Sequence, residues 1–302
     1  MKVLITGACG SVARAVIREL EASAQAHELR LLDQTAPGAA TVFMAGSGER
    51  VALPLETPWP FVQAEITDSA AMREAARGMD AIIHLAAAVT GLPEHGVETF
   101  RTNALGTFVV LDAARIAGVR RFLCASSINA FGTIYWQISG QPAPYTKLPL
   151  DESFSPVVED PYSLSKLVNE ETCAAFHRAY GMTTAALRFA GVWDEAMYER
   201  KVAEVLAPTQ QWWDDLYQWV HVADIARGVR QALEAPDLPG CGVYTLSAAD
   251  TRCPEPTMEL LQRLRPDLIA TLDAPLSGRA PLLSIERAAR TFSYTPRYRL
   301  GA

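Results

Sequence analysis

Residues 161–171, PYSLSKLVNEE, carry a tyrosine and a lysine four positions apart. On a helix this spacing puts Tyr162 and Lys166 on one face. A phenol ordinarily titrates near ~10, and a neighbouring ammonium favours the phenolate, so the pair has the chemistry of a general acid and base. The same spacing is also typical of a surface tyrosine that leans on a lysine stem. Residues elsewhere in the chain must distinguish the two interpretations.

A glycine-rich turn near the start of the chain predicts a nucleotide site. In ITGACGSVA, Gly7 and Gly10 follow the first predicted strand and precede the first predicted helix, with Ala13 as a third small residue. Such a turn lets a pyrophosphate approach the free N–H groups of the helix. Asp33 closes the second predicted strand, ELRLLD. Because its carboxylate can bind an adenosine ribose and would repel a 2′-phosphate, we expect NAD and not NADP.

The elements that must position these residues alternate regularly. Short apolar strands and longer helical patterns follow one another over about two thirds of the chain, which predicts βαβ units. Strands that are apolar throughout predict helices on both sheet faces. The expected fold class is α/β, a Rossmann-type doubly wound parallel sheet. We predict a dinucleotide-binding domain over residues 1–190 and a smaller, interleaved α/β substrate domain over residues 191–302.

Two irregular stretches interrupt this alternation. Residues 34–60 are rich in Pro and Gly and hold one predicted short strand around 50–53. Residues 131–160 follow a predicted strand, and doubly wound sheets bind ligands at the carboxyl ends of their strands. In the C-terminal part we predict helices over 197–206, 222–234 and 257–264.

The composition argues against several partners. The 302 residues carry 27 Lys and Arg against 34 Asp and Glu, a net charge of −7 that disfavours nucleic acid. Five cysteines without a CxxC pair fit neither a zinc site nor a disulfide framework, so we expect a cytoplasmic protein without a metal. The N-terminus lacks the long apolar stretch of a secretory signal. The longest apolar run, residues 81–92, contains His84, which we interpret as a packed core histidine; the run is too short to span a membrane.

Eight motifs along nearly the whole chain resemble the extended branch of the short-chain dehydrogenase/reductase superfamily, the NAD-dependent epimerases and dehydratases. In chain order they are TGACGSVA, AEITD, HLAA, TNALGT, CASSINAFG, YSLSK, LRFAGVW and VHVADIARG. The resemblance implies an enzyme that uses NAD on a small-molecule substrate.

The resemblance also implies catalytic roles. Ser127 and Tyr162 would hydrogen-bond the reacting oxygen of the substrate, and Tyr162 would exchange its proton. Lys166 would hold the ribose hydroxyls of the cofactor and lower the pKa of the phenol. Asn103, in the central helix, would support the site, with simple packing as the alternative.

The cofactor contacts follow from the same motifs. In AEITD the adenine-contacting position falls on Glu65, whereas Asp68 is interpreted as a helix N-cap. The implied cofactor-binding residues are Gly7, Cys9, Gly10, Ser11, Val12, Asp33, Glu65, Ile66, Leu85, Ala86, Ala87, Tyr162, Lys166 and Phe189.

The chain departs from its sugar-nucleotide relatives at positions that handle phosphate. The asparagine of their LRxxN motif is Gly191 here, and their arginine-aspartate pair is replaced by Tyr217 and Gln218. A nucleotide-sugar substrate is therefore disfavoured. The 4,6-dehydratases follow the active-site serine or threonine with an Asp-Glu pair, where this chain has Ile128 and Asn129, so dehydration is also disfavoured.

The ASSIN segment is similar to that of uronate dehydrogenases, which points to a small carbohydrate or sugar acid. Arg279 is a candidate for binding an anionic substrate group, or it is a solvated surface arginine. The substrate-binding candidates are Ser127, Asn129 and Arg279, with Thr133 and Ser139 as further polar candidates near the pocket. Three tryptophans are expected near the cleft: Trp212, Trp213 and Trp219. They are candidates for stacking on a sugar, and the alternative is a packed lobe or a subunit contact.

Three functions remain open on the sequence. The first is an NAD-dependent oxidoreductase that moves a hydride to or from a secondary hydroxyl carbon of a small carbohydrate or sugar acid. The second is an NAD-dependent sugar or nucleotide-sugar epimerase, and the third is a non-catalytic dinucleotide-binding regulatory protein. The resemblance also implies a homodimer through two long helices that start near Gly96 and Tyr162, with Phe108, Leu111 and Phe176 on their outer faces.

Overall fold

The chain is described by a computed structural model that covers residues 1–44, 48–134, 137–204 and 207–300. Within these residues the strands are β1 (Lys2–Thr6), β2 (Glu28–Asp33), β3 (Thr41–Met44), β4 (Glu49–Ala52), β5 (Phe61–Gln63), β6 (Ala81–His84), β7 (Arg121–Ser127), β8 (Thr183–Phe189), β9 (Val192–Trp193), β10 (Val220–His221) and β11 (Cys241–Leu246).

Seven of these strands form one parallel sheet at the centre of the molecule. Their order across the sheet is β11-β8-β7-β6-β1-β2-β5, and every neighbouring pair is parallel. The chain moves from β1 towards β5 in one direction and from β6 towards β11 in the other. The predicted doubly wound sheet is therefore confirmed, and its direction reverses between β1 and β6, where such sheets bind ligands.

Helices cover both faces of the sheet, as the continuous apolar strands predict. They are α1 (Ser11–Glu21), α2 (Ser69–Ala76), α3 (Gly96–Phe100), α4 (Gly106–Ile116), α5 (Pro161–Tyr180), α6 (Glu195–Ala203), α7 (Val222–Glu234), α8 (Thr257–Leu264) and α9 (Glu286–Phe292), and a π-helical turn (Arg101–Leu105) joins α3 to α4.

Successive strand residues enter two separate core layers. On β1, Val3 and Ile5 pack in the layer that contains residues of α1 and α7, whereas Leu4 packs in the layer that contains residues of α2, α4 and α5. This alternation is the period of two of a β-strand. It leaves no sheet face for solvent at the centre, so ligands must approach the sheet at its edge or ends.

The boundaries of α5 place Tyr162 in its first turn. The side chain of Asp160 caps the helix by accepting hydrogen bonds from the N–H groups of Tyr162 and Ser163, both at 2.9 Å. Pro161 occupies the first helical position, where its missing N–H costs nothing. The helix ends at Gly181, whose φ of +68° suits a glycine. Asp160 and Pro161 together therefore fix where the predicted catalytic pair begins.

The Pro- and Gly-rich stretch after β2 contains a hairpin. The predicted strand around 50–53 is confirmed as β4, and it pairs in antiparallel fashion with β3, which the sequence did not indicate. Val42 of β3 is buried, so the hairpin is packed onto the body of the protein.

The C-terminal part returns to the main sheet. Strand β11 pairs with β8 at the sheet edge, and β9 pairs with β10 in a separate two-stranded sheet. The helices predicted over 222–234 and 257–264 are α7 and α8, and the one predicted over 197–206 is α6. The expected end of that last helix at Leu206 lies outside the described residues. The proposed division at residue 190 stays a prediction.

Helices α4 and α5 lie on the same sheet face. The expected exposure of Phe108 is confirmed at 51%, but the prediction for Leu111 and Phe176 is wrong, because these side chains are 0% and 5% exposed. Both belong to the core layer beneath the helices. Helix α4 carries apolar residues around most of its circumference, so the sequence did not tell its inner face from its outer face.

Among the described helices, none is long and apolar enough to cross a membrane.

Candidate active site

A cavity of about 540 Å³ lies at the carboxyl ends of β1, β2, β5 and β6. It collects the predicted cofactor-binding residues from four separate parts of the chain. Those that line it are Gly7, Cys9, Gly10, Ser11, Val12, Asp33, Glu65, Ile66, Leu85, Ala86 and Ala87. Tyr162, Lys166 and Phe189 do not line it; they lie at the start of α5 and the end of β8.

The glycine turn has the geometry of a phosphate cradle. Gly7 has a φ of +72°, and a Cβ there would lie 2.6 Å from the backbone nitrogen of Ala86. Only glycine fits such a position. Helix α1 begins after Gly10, and no described side chain caps it or places an acid in its first turn. Its first N–H groups therefore face the cavity as donors for an anion.

Asp33 connects this turn to the end of β2. Its carboxylate accepts hydrogen bonds from the N–H groups of Cys9 (3.0 Å) and Thr35 (2.9 Å). Burial, together with the charge of Asp33, raises the pKa of the Cys9 thiol to about 11, so Cys9 is neutral at physiological pH. A carboxylate at a strand end beside a phosphate cradle fits the ribose and pyrophosphate of a dinucleotide.

The hairpin adds cavity residues that the sequence analysis missed. Thr41 and Phe43 of β3 and Arg50 of β4 line the cavity together with Asp33. Arg14 anchors this region, because its guanidinium donates to the carbonyls of Cys9 (3.0 Å) and Pro54 (3.1 Å). The sequence held no signal for these contacts, since an inserted hairpin can lie over any neighbouring surface.

Asp68 is the N-cap of α2, as interpreted from the sequence. Its carboxylate accepts from the N–H groups of Ala70 (2.9 Å) and Ala71 (3.0 Å). Glu65, three residues earlier, lines the cavity.

Ser127, Tyr162 and Lys166 meet at the carboxyl end of β7. All three are less than 10% exposed. Burial raises the pKa of the Tyr162 phenol to about 12, and a side-chain hydrogen bond with Ser127 opposes the rise. In the folded chain burial therefore outweighs the expected lowering of this pKa, and the effect of the Lys166 charge itself stays a prediction. The Lys166 Nζ lies 5.6 Å from the centre of the Tyr162 ring and donates to the Ala125 carbonyl at 2.9 Å.

Asn103 joins two segments that surround this site. Its side chain both accepts from and donates to the backbone of Ala88, at 2.8 and 2.9 Å. It also donates to the Ser165 hydroxyl of α5 at 2.9 Å. Asn103 is fully buried, so the structure gives its side chain a packing and bridging position between the segment after β6 and α5.

His84 is the buried core histidine that the sequence indicated. Its Nδ1 and Nε2 lie 2.7 Å and 3.0 Å from the hydroxyls of Thr6 and Thr107. Burial, with a smaller contribution from the charge of Lys166, lowers its pKa to about 3. The imidazole is therefore neutral and tied to two elements.

The predicted substrate-side residues lie in different environments. Asn129 is buried, and its N–H donates to the Ser127 hydroxyl at 3.2 Å. Thr133 is also buried, whereas Ser139 is held by the Glu159 carboxylate. The alternative of a solvated Arg279 is wrong, because its side chain is 18% exposed and pairs with Asp250 at 2.9 Å. Its role towards a substrate stays a prediction.

The three tryptophans do not form one surface. Trp219 is fully buried and stacks on Trp193 with 4.7 Å between ring centres. The Trp212 indole donates to Asp214 at 2.7 Å, and Trp213 is 54% exposed. Trp219 therefore belongs to a packed lobe, which leaves Trp213 as the exposed indole of the group.

The described part of the chain contains no cluster of three or more His, Cys, Asp or Glu side chains that could hold a metal ion.

Residues 3–247 match the NAD dependent epimerase/dehydratase family. The chain belongs to this family. The cavity described above fits the family's cofactor, NAD, because it combines a glycine cradle, a helix N-terminus and the Asp33 carboxylate. The expected family, enzyme class and cofactor are thereby confirmed.

Known proteins that resemble the chain include several sugar enzymes. It is 28% identical over 229 residues to a uronate dehydrogenase of Pseudomonas putida, covering 76% of this chain and 73% of that protein. It is 24% identical over 251 residues to a dTDP-glucose 4,6-dehydratase of Streptomyces niveus, covering 77% and 69%. A solved short-chain dehydrogenase/reductase superfamily protein from Agrobacterium tumefaciens with bound NAD has 22% identity and a TM-score of 0.68, covering 99% of this chain and 94% of that one. The last likeness shows the fold.

Proposed function

We propose that the protein is an NAD-dependent dehydrogenase that acts on a secondary hydroxyl of a small carbohydrate or sugar acid. The observation that carries the proposal is the meeting of Ser127, Tyr162 and Lys166 at the end of β7, on the same edge of the sheet as the NAD-fitting cavity. NAD, when bound, supplies the hydride acceptor.

The protein's own groups then handle the hydroxyl. The Ser127 and Tyr162 hydroxyls hold the reacting oxygen by hydrogen bonds, and Tyr162 accepts its proton as the carbonyl forms. The phenol needs a cationic environment to act in this way, because burial raises its pKa to about 12. The Lys166 ammonium, fixed by the Ala125 carbonyl, supplies a nearby positive charge.

The surroundings favour a substrate without a nucleotide. Gly191 offers no side chain where sugar-nucleotide relatives carry an asparagine. Tyr217 is 2% exposed, and its hydroxyl donates to the Gln211 carbonyl at 2.8 Å. The buried Gln218 amide donates to the Leu216 carbonyl. Neither replacement provides a cation for a diphosphate, and the likeness to a uronate dehydrogenase supports a sugar acid.

The test is NADH formation by the purified protein across aldoses, uronic acids and polyols, measured by NADH fluorescence. We expect NADH with at least one sugar or sugar acid, and a loss of roughly 10²–10⁴-fold in kcat for Tyr162→Phe. Tyr180→Phe is the matched control, because Tyr180 is 57% exposed at the far end of α5.

Two outcomes would overturn the proposal. Isomerised sugar without net NADH, seen by NMR, would identify an epimerase. Full activity of Tyr162→Phe would remove Tyr162 from the chemistry and favour a dinucleotide-binding regulatory protein.

We further propose that the protein is a cytoplasmic homodimer. The five cysteines are free thiols, which supports a reducing compartment. Apolar side chains on the exposed faces of α3, α4 and α5 support a contact between copies.

A further inference from the structure

Helix α5 holds the end of β7 at three consecutive residues. The Ala125 carbonyl accepts from Lys166 Nζ at 2.9 Å, and the Ser126 hydroxyl donates to Glu170 Oε1 at 2.5 Å. Ser127 hydrogen-bonds Tyr162. The three α5 residues are spaced at i, i+4 and i+8, so they share one helix face. Two of these contacts involve the proposed catalytic groups, and the third involves Glu170.

The Glu170 carboxylate also binds the next strand. Arg188 of β8 donates to Glu170 Oε1 and Oε2 at 2.8 and 2.7 Å. Ser126 and Arg188 are direct neighbours in the register of β7 and β8, so one carboxylate joins both strands to α5. Glu170 is 6% exposed and Arg188 3%. A buried pair of this kind is costly to break from one side.

Glu170 is also the carboxylate nearest in sequence to Lys166 on this face. Burial lowers the pKa of Lys166, and the charges of Cys124 and Glu170 oppose this. The titratable groups that interact with Lys166 are His84 of β6, Cys124 of β7, and Tyr162 and Glu170 of α5. Of these, Glu170 is the carboxylate.

We propose that Glu170 is a positioning residue for the reaction, which locks Ser127 and Lys166 against Tyr162 and provides the counter-charge to the Lys166 ammonium. This inference rests on the proposed function, because it takes Ser127, Tyr162 and Lys166 as the catalytic groups. Glu170 acts through Ser126 and Lys166 and does not touch the substrate.

Glu170→Gln keeps the shape of the side chain and removes its charge. We expect kcat to fall about tenfold, as for the loss of one charge-assisted contact, with little change in the KM for the sugar. The alkaline limb of the profile of kcat against pH should move to lower pH, because Lys166 loses its proton more readily without the carboxylate. Glu171→Gln is the matched control, since it makes the same change at an exposed neighbour on α5.

A double variant separates positioning from simple ion pairing. Glu170→Gln leaves Arg188 buried without a carboxylate, which lowers stability whatever the role of Glu170. Glu170→Gln with Arg188→Met removes that unpaired charge. We expect the double variant to regain thermal stability but neither kcat nor the wild-type alkaline limb, and Glu170→Asp to regain part of that limb. If the double variant regains all three properties, Glu170 only neutralises Arg188 and the proposal is wrong.

NADH affinity as a function of pH gives a readout that needs no turnover. The affinity of Glu170→Gln for NADH should fall at a lower pH than that of the wild type, because Lys166 is the expected ligand of the cofactor ribose. If no sugar is oxidised by the wild type but this shift occurs, the proposed function fails, whereas the electrostatic coupling of Glu170 to Lys166 stands. If the wild type oxidises sugars but Glu170→Gln shifts neither the alkaline limb of kcat nor the pH dependence of NADH affinity, the inference on Glu170 is wrong and the proposed function stands.

Discussion

The Tyr162 phenol is protonated at neutral pH in the folded chain, because burial raises its pKa to about 12. The i, i+4 spacing suggested the opposite shift, since it considers the Lys166 charge and not the removal of water from both groups. The Lys166 Nζ is itself turned to the Ala125 carbonyl. Burial destabilises the charged form of every group in such a site, and for Tyr162 the hydrogen bond with Ser127 partly opposes this effect.

His84 provides a residue-level prediction on pH. Its ordinary pKa is 6.5, and burial lowers the folded value to about 3. Between about pH 3 and pH 6.5, the His84 imidazole is protonated in the unfolded chain and neutral in the folded protein. The stability present above pH 6.5 is therefore lost as the pH falls through this interval, by roughly 5 kcal/mol in all.

We expect His84→Gln, which can still bond Thr6 and Thr107, to lose less free energy of unfolding between these pH values than the wild type. Urea unfolding at a series of pH values measures this difference, and His95→Gln, at an exposed histidine, is the control. An equal loss in wild type and His84→Gln would show that other groups cause the acid sensitivity.

The element that holds the cofactor is the turn between β1 and α1, where two constraints act on Gly7. Its φ is +72°, and an added Cβ would lie within 3 Å of the backbone of Leu85 and Ala86. Gly78 has nearly the same φ, +75°, but nothing within 4 Å of its Cβ position. An alanine at Gly78 would therefore meet only the cost of the left-handed backbone, whereas an alanine at Gly7 would also clash with neighbouring backbone atoms.

Gly78→Ala should lose about 1 kcal/mol of stability, the cost of a left-handed alanine, and bind NADH normally. Gly7→Ala should lose more and bind NADH weakly, because the loop after β6 must move away from the cradle. Thermal unfolding and NADH fluorescence titration measure both effects. Unchanged NADH affinity in Gly7→Ala would show that the cradle tolerates a side chain.

At the scale of the whole molecule, the sequence predicts local patterns better than distant contacts. The strand and helix alternation, the glycine turn at Gly7 and Gly10, and the helix cap at Asp68 can be predicted from neighbouring residues. The pairing of β11 with β8 joins segments more than 50 residues apart. The apolar pattern of one strand does not indicate which strand it pairs with. For the same reason Glu170 is visible in PYSLSKLVNEE, but its bonds to Ser126 and Arg188 are not.

The sequence also predicted only in part which apolar residues are exposed on α3, α4 and α5. This surface leads to a prediction about the oligomeric state. The apolar residues exposed there are Val97 (86%), Phe100 (37%), Leu105 (47%), Phe108 (51%) and Leu164 (43%). Leu111 and Phe176 are buried in the core of the protomer. A second copy would therefore contact the exposed apolar residues and not these two. A contiguous apolar face of adjacent helices is typical of a contact between subunits.

We expect a dimer in sedimentation velocity, and Phe108→Glu should weaken it by about two orders of magnitude in Kd, because a carboxylate would be buried at the contact. Phe108 is half exposed, so this variant should keep the fold and bind NADH. Val202→Glu is the matched control, since Val202 is 54% exposed on α6, away from these helices. A monomer at all concentrations, or a dimer that Phe108→Glu leaves intact, would place the contact elsewhere or remove it.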